Sequence, residues 1–366
     1  MIADAVARLR LIRTPSIGPV TYRQLISRFG HAAAALAALP DLARRGSRSL
    51  EIASAAMAED ELATLQTLGA TPLFIGTPAY PALLAATETA PPMIVAKGRT
   101  ALLEQPALAI VGARNASAAG NRLARSWAEG LGGEGLVIVS GLARGIDAAA
   151  HQGALATGTI AVIAGGINVV YPPENAVLMA EIAEKGLVLA EQPPGVEPQA
   201  RHFPRRNRII AGLAAATLVV EAAPRSGSLI TARMAAEFGR DVLAVPGSPL
   251  DPRAQGCNQL IREGATLVQG VADVMEALSA FDADGAGAPL GQRYQLAEPP
   301  PLPIAAAAPE AARARVLSLL SPTPIGIDEL VRQSGLAAAD VGCVLLDLEL
   351  EGAMERHAGG RVTLIA

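Results

Sequence analysis

Seven short runs of apolar, often β-branched residues recur between residues 108 and 268: Leu108–Val111, Leu136–Val139, Ile160–Ile163, Leu187–Leu189, Thr217–Val220, Val242–Val245 and Thr266–Val268. None alternates with polar residues, so each must be covered on both faces. Helical stretches fall between them, among them Leu123–Leu131, Glu174–Glu184 and Leu229–Phe238. A strand buried on both sides and followed by a helix is the repeating unit of a parallel sheet with helices on either face. The pattern predicts an α/β, Rossmann-like core over residues 101–280, with any ligand held beyond the carboxyl ends of the strands.

Composition changes on either side of that core. Residues 1–92 carry Ala/Leu periodicity interrupted by Pro15, Pro40 and Gly46, which predicts a small helical domain of the sterile-alpha-motif or helix-hairpin-helix kind. Its segment Pro15–Gly30 has the glycine turn that such an element aims at phosphate. Because Gly18-Pro19 forfeits an N–H donor, the segment reads as a tight turn between packed helices. Residues 281–309, rich in Ala, Gly and Pro, read as an extended linker. In 310–366, three helices (Arg313–Leu320, Ile327–Gln333, Ala338–Leu350) precede a hairpin (Ala353–His357 with Arg361–Ile365), the order of a winged helix.

At 51% hydrophobic and 17% charged residues, the 366-residue chain has ample apolar surface to offset the entropy of ordering, which excludes a disordered protein. Thirty Lys and Arg against 34 Asp and Glu give a net charge of −4, so any nucleic-acid site must be local. Lys occurs only at Lys97 and Lys185; the Ala excess suggests codon bias, yet every basic side chain in a pocket then brings a planar fork suited to phosphate. Cys257 and Cys343 make neither a disulfide framework nor a metal-ligand spacing, and neither metal nor cofactor is expected. The N-terminus lacks an export signal, and the uncharged segment His151–Pro173 reads as helix, turn and buried strand; the expectation is a cytosolic protein with no membrane partner.

The first strand runs into Gly112-Ala113-Arg114 and not into G-x-G-x-x-G, and no G-x-x-x-x-G-K-[ST] follows, so neither dinucleotide chemistry nor P-loop hydrolysis is supported. Arg114 at a strand's carboxyl end can reach an anion. After the second strand, Ser140, Gly141 and Gly145 let backbone N–H groups approach a ligand before a helix begins. Asp147 and His151 share a face of that helix and read as structural in the first instance. Gly165-Gly166 and Tyr171-Pro172 shape a wall.

The densest signal is Arg201-His-Phe-Pro-Arg-Arg-Asn-Arg208, four arginines and an aromatic in eight residues of an acidic protein. Arginine forks at Arg201, Arg205, Arg206 and Arg208 suit phosphates, Asn207 adds a polar contact and Phe203 offers a face for a base, a combination expected for single-stranded nucleic acid. Ser226-Gly227-Ser228, at a predicted helix N-terminus beside Arg225, can cap that helix or hold a phosphate.

These runs resemble the DNA-processing protein A (DprA, or Smf) family. The matching segments are Gly112–Arg114, Ser140–Asp147, Phe203–Leu213, Ser226–Ala232 and Gly239–Gly247, spread over most of the core, with the flanking regions fitting a three-part layout. The resemblance implies a homodimer that binds and protects single-stranded DNA and helps load the RecA recombinase in natural transformation and recombination. It implies no catalysis, and a pocket lined by Arg114, Arg201–Arg208 and Arg225–Ser228.

Two further expectations concern alternatives. A nucleotide or nucleotide-sugar enzyme would also use glycine-rich strand ends, with Asp147 or Glu221 as its carboxylate. The third domain's candidate recognition helix carries Asp340, Asp347, Glu349 and Glu351 with no basic residue before Arg356, a poor match to a duplex groove. A protein-contact or accessory role is expected for it instead.

Overall fold

A computed structural model describes residues 2–43, 51–283, 310–357 and 359–365. Among these, residues up to Leu62 pack with those from Glu310 onward as one compact unit, and residues from Ala63 to Ala283 form another.

The N-terminal helices are α1 (Ile2–Arg13), α2 (Pro19–Phe29), α3 (Ala32–Ala43) and α4 (Ala55–Thr67). Pro19 opens α2 at a position whose N–H would be unpaired in any helix, and Gly30 closes it with φ +80°. The turn expected at Pro15–Gly30 is therefore built from residues suited to start and stop a helix.

The larger unit is one nine-stranded sheet. Its strands are β1 (Thr71–Phe74), β2 (Met93–Gly98), β3 (Ala107–Val111), β4 (Val137–Ser140), β5 (Thr159–Gly166), β6 (Leu187–Gln192), β7 (Ala216–Val219), β8 (Asp241–Ala244) and β9 (Thr266–Leu267). They lie in the order β1-β2-β6-β5-β4-β3-β7-β8-β9, and β3 to β9 are mutually parallel. All seven apolar runs read from the sequence are strands. The helical region was expected to reach residue 92, but it ends sooner: β1 already belongs to the sheet, pairing antiparallel with β2, which in turn pairs antiparallel with β6.

Helices of this unit are α5 (Ala82–Ala85), α6 (Ala118–Gly133), α7 (Ile146–Ala154), α8 (Ala176–Lys185), α9 (His202–Leu213), α10 (Gly227–Glu237), α11 (Gln255–Arg262) and α12 (Val271–Ala283). The period of two along a strand divides the core. Leu108 and Ile110 of β3 face one apolar cluster with Trp127, Leu131 and Ala150, while Ala109 and Val111 face the other with Ile209, Ile210 and Leu213. This is why the runs are apolar without alternation.

Of the linker expected at 281–309, residues 281–283 end α12 and the rest lies outside the described residues. The C-terminal part holds α13 (Glu310–Leu319), β10 (Ile325–Gly326), α14 (Ile327–Ser334), α15 (Ala338–Leu350), β11 (Met354–His357) and β12 (Arg361–Leu364), with sheet order β10-β12-β11. That is a winged helix. Among the described residues no helix is long and apolar enough to cross a membrane, and no cluster of His, Cys, Asp or Glu could hold a metal ion.

Candidate nucleic-acid interface

β3 has β4 on one side and β7 on the other, so the chain winds to one edge of the sheet and returns to build the opposite half. At such a switch point the loops leaving adjacent strands diverge and open a crevice. A cavity of about 730 Å³ lies there, lined from the β3 end by Gly112 and Arg114, from the β7 end by Arg225–Ser228, and from α9 by Phe203, Arg206 and Asn207. A second cavity of about 210 Å³ shares Arg114, Phe203 and Arg206 and adds Gly141, Arg144 and Tyr171.

Glycines hold these loops close. Gly145, with φ +75°, caps α7 where a Cβ would run into the carbonyl oxygens of Ala113 and Arg114, so the Arg114 turn rests directly on the α7 N-terminus. Arg225 and Leu142 are non-glycine residues with φ of +67° and +54°. Both flank the cavities, and such backbone persists only where its surroundings over-determine it.

The arginines of the Arg201–Arg208 segment divide by burial once α9 is formed. Pro204 fits the helix's first turn and is exposed with Arg205, whereas His202 and every residue from Arg206 to Leu213 are buried. Arg201 and Arg205 are exposed and lie off the cavity linings. Arg206 is buried: its Nη1 donates to the carbonyls of Gly141 and Val162, the latter at 2.7 Å. Those carbonyls lie one residue beyond the last β4–β5 pair, Ser140 with Ala161, so the guanidinium takes over where the ladder stops. Arg208 is paired with Glu191 and donates to the Thr89 carbonyl. Asn207 donates to the Gly227 carbonyl at 3.2 Å, tying α9 to the start of α10.

Phe203 stands between two partners. The Arg114 guanidinium lies 5.2 Å from its ring centroid, and the Tyr171 ring lies 5.6 Å away at 57°. Tyr171 is 46% exposed and is the more accessible aromatic. The sequence reading gave Tyr171 only a wall. Its signal was present in the rigid Tyr-Pro-Pro turn, but nothing in the chain predicts contact with a residue 32 positions on.

Ser226 caps α10 and its hydroxyl lies 2.8 Å from that of Ser228, so the serine loop caps the helix while lining the cavity. Ser140 is buried and donates to the Ile110 carbonyl at 2.6 Å; its role is to brace β3 against β4. Two charged lining residues escaped the sequence reading, Asp251 and Arg253, which pair with each other after β8.

The carboxylates considered for catalysis are both engaged. Glu221 receives the N–H and hydroxyl of Ser117 at 2.9 and 2.6 Å and so holds the first turn of α6. Asp147 is buried at the start of α7 and accepts from the Ala143 N–H at 3.3 Å. Burial pushes its carboxyl above the ordinary aspartate range, while the Arg206 charge pulls the other way. Burial likewise lowers the Arg206 guanidinium to about 10.

Comparison with known proteins now bears on this arrangement. The family model for DNA recombination-mediator protein A matches residues 71–279, a DprA-like N-terminal helix-hairpin-helix domain matches 3–64, and a DprA winged-helix domain matches 298–360. Protein Smf of Synechocystis sp. is 37% identical over 308 residues, 78% of this chain and 77% of its own. The crystal structure of DNA processing protein A from Streptococcus pneumoniae is similar at TM-score 0.63 and 39% identity, over 74% of this chain and 95% of that one. DNA processing protein A from Helicobacter pylori, whose structure concerns its single-stranded DNA binding mode, gives TM-score 0.54 and 27% identity over 58% of this chain and 96% of its own. The chain belongs to the DNA recombination-mediator protein A family.

Proposed function

We propose that this chain binds single-stranded DNA in the cavity at the β3/β7 switch point and serves as a recombination mediator, not as an enzyme. The reading rests on one arrangement above all: Arg114, Arg225 and Arg253 around a 730 Å³ cavity that Phe203 also lines, with Tyr171 against the Phe203 ring in the adjoining 210 Å³ cavity. Guanidinium forks suit phosphates and aromatic faces suit unpaired bases, with no need for sequence preference. The Helicobacter pylori relative, studied for single-stranded DNA binding, supports it. So does the structural engagement of Asp147 and Glu221, the carboxylates that a nucleotide-processing enzyme would need free.

Within this reading the protein acts in the cytosol as a homodimer, protects incoming strands and hands them to a RecA recombinase. Fluorescence anisotropy with a labelled oligo-dT tests the core of it. Affinity should fall as salt rises, and Arg114→Ala should weaken binding at least tenfold while leaving the thermal midpoint in place. Binding indifferent to salt and to Arg114→Ala sinks the proposal, as does release of free base on incubation with nucleoside monophosphates. Sedimentation velocity, and RecA filament assembly on oligo-dT with and without the protein, test the dimer and loading steps.

A further inference from the structure

Helix α15 occupies the position from which a winged helix commonly enters a DNA groove. It is apolar on two sides. Val341, Val344, Leu345 and Leu348, spaced i, i+3, i+4, i+7, form one stripe in the winged-helix core with Val316, Leu330, Met354 and Val362. Cys343, Leu346, Asp347 and Leu350 repeat the same spacing on the opposite side. Leu346 and Leu350 are each 2% exposed yet stand outside that core, so something else covers them.

The cover is the N-terminal helical region. α15 packs against α2 and α3. Arg28 at the end of α2 donates to Asp347 at 2.6 Å, with both side chains less than a tenth exposed. Arg356, at the start of the wing, binds Glu349 at 2.9 Å and reaches Gln24 of α2 at 3.3 Å. An aspartate in mid-helix between two leucines makes no sense on a solvated recognition surface that must approach phosphates. It makes sense opposite a buried arginine, since a buried carboxylate needs a paired charge.

We propose that the outer face of α15 is a docking surface for this chain's own α2–α3 pair, joining the first and last parts of the chain into one discontinuous domain. The winged helix is then a clamp for the helical domain and not a duplex reader. Its basic residue nearest the helix, Arg356, is spent on the joint. The inference stands apart from the cavity reading above, because it involves none of the same residues.

Two measurements on the full chain test it. In a Cys343→Ser background, Arg28→Cys combined with Asp347→Cys should join under mild oxidation or a short bismaleimide within a single chain, read as an altered monomer band without reductant. A covalent dimer as the main product overturns the proposal in favour of a second copy, and no linkage overturns it outright. Independently, Arg28→Asp and Asp347→Arg should each speed thermolysin cleavage of the full chain by about tenfold or more, and the double reversal should return it to within about threefold of the parent. Additive effects in the double variant would count against the joint.

Discussion

Single residues show how position divides a uniform basic segment. Arg205 and Arg206 are neighbours in sequence, but one is exposed and the other bonds two strand-end carbonyls under the cavity. Removing Arg206 strands those acceptors and leaves Asp147 buried without its nearest positive charge. Arg206→Ala is expected to cost roughly 3 kcal/mol of stability, whereas Arg205→Ala should stay within about 0.5 kcal/mol, both read by urea unfolding. Equal effects would contradict the assignment of Arg206 to the floor. The sequence could not separate them, because the partners of Arg206 come from strands 65 and 44 residues away. His151 carries a second expectation. Thr159 gives its hydroxyl hydrogen to the Ile138 carbonyl, so it accepts from His151 Nδ1–H, and the ring's Nε2 has no protein partner. An imidazolium would need one. Burial, with the Arg206 charge added, accordingly holds His151 down at about 3. A depressed folded-state value means that the unfolded chain takes up the proton first. The neutral ring's contribution is complete above pH ~6.5 and is lost at about 1.4 kcal/mol per pH unit as pH falls toward 3. In His151→Leu that part of the acid slope should vanish from the unfolding free energy measured between pH 6.5 and 4.

Elements were legible in proportion to how local their causes are. The seven parallel strands announce themselves because two-sided burial forbids polar residues, and the alternate facing of Leu108 and Ala109 into separate cores is that requirement met. β1 escaped notice because Thr71-Pro72-Leu73-Phe74 is four residues with a proline, tolerable only because the strand sits at the sheet edge. α9 was hidden by its own composition: Pro204 and four arginines in eight residues carry no apolar helical period, and only tertiary pairing of Arg206 and Arg208 makes the helix's inner face acceptable. The cavity followed from fold logic, since glycines and serines gather at strand ends, but the Tyr171–Phe203–Arg114 stack needed the structure. That stack gives an expectation for the β5–α8 connection. Tyr171→Ala should weaken oligo-dT binding by about 1–3 kcal/mol and spare an abasic strand of equal length, compared by anisotropy. Equal losses on both strands would mean that Tyr171 only shapes the loop. At the α7 N-terminus, Gly145→Ala should act through Arg114: its Cβ would push the carbonyl of Arg114, which lies 2.8 Å away, and must also adopt φ +75°. Loss of strand binding with little change in α7 helicity by circular dichroism is the expected outcome.

At the scale of the whole molecule, a net charge of −4 sets a bound on how the protein can meet a polyanion. Arg208 is consumed by Glu191, Arg28 by Asp347, Arg313 by Glu351 and Arg13 by Glu61, so much of the chain's positive charge is neutralised within the fold. The arginines around the large cavity that are not built into its floor are Arg114, Arg225 and Arg253, and the last already has Asp251 as a partner. A site that displaces counterions from two or three phosphates should give a slope of log affinity against log salt between about −1.4 and −2, taking roughly −0.7 per neutralised phosphate on a single strand. An extended basic track would give a slope several units steeper. Anisotropy titrations of one protomer's worth of oligo-dT across a fourfold range of salt distinguish the two. Arg114→Ala should then flatten the slope by somewhat less than one unit. Asp251→Asn, which frees Arg253 from its partner, should tighten binding and steepen the slope, because the cavity gains a guanidinium available to phosphate. A slope unchanged in both variants would move the binding site away from the switch point altogether.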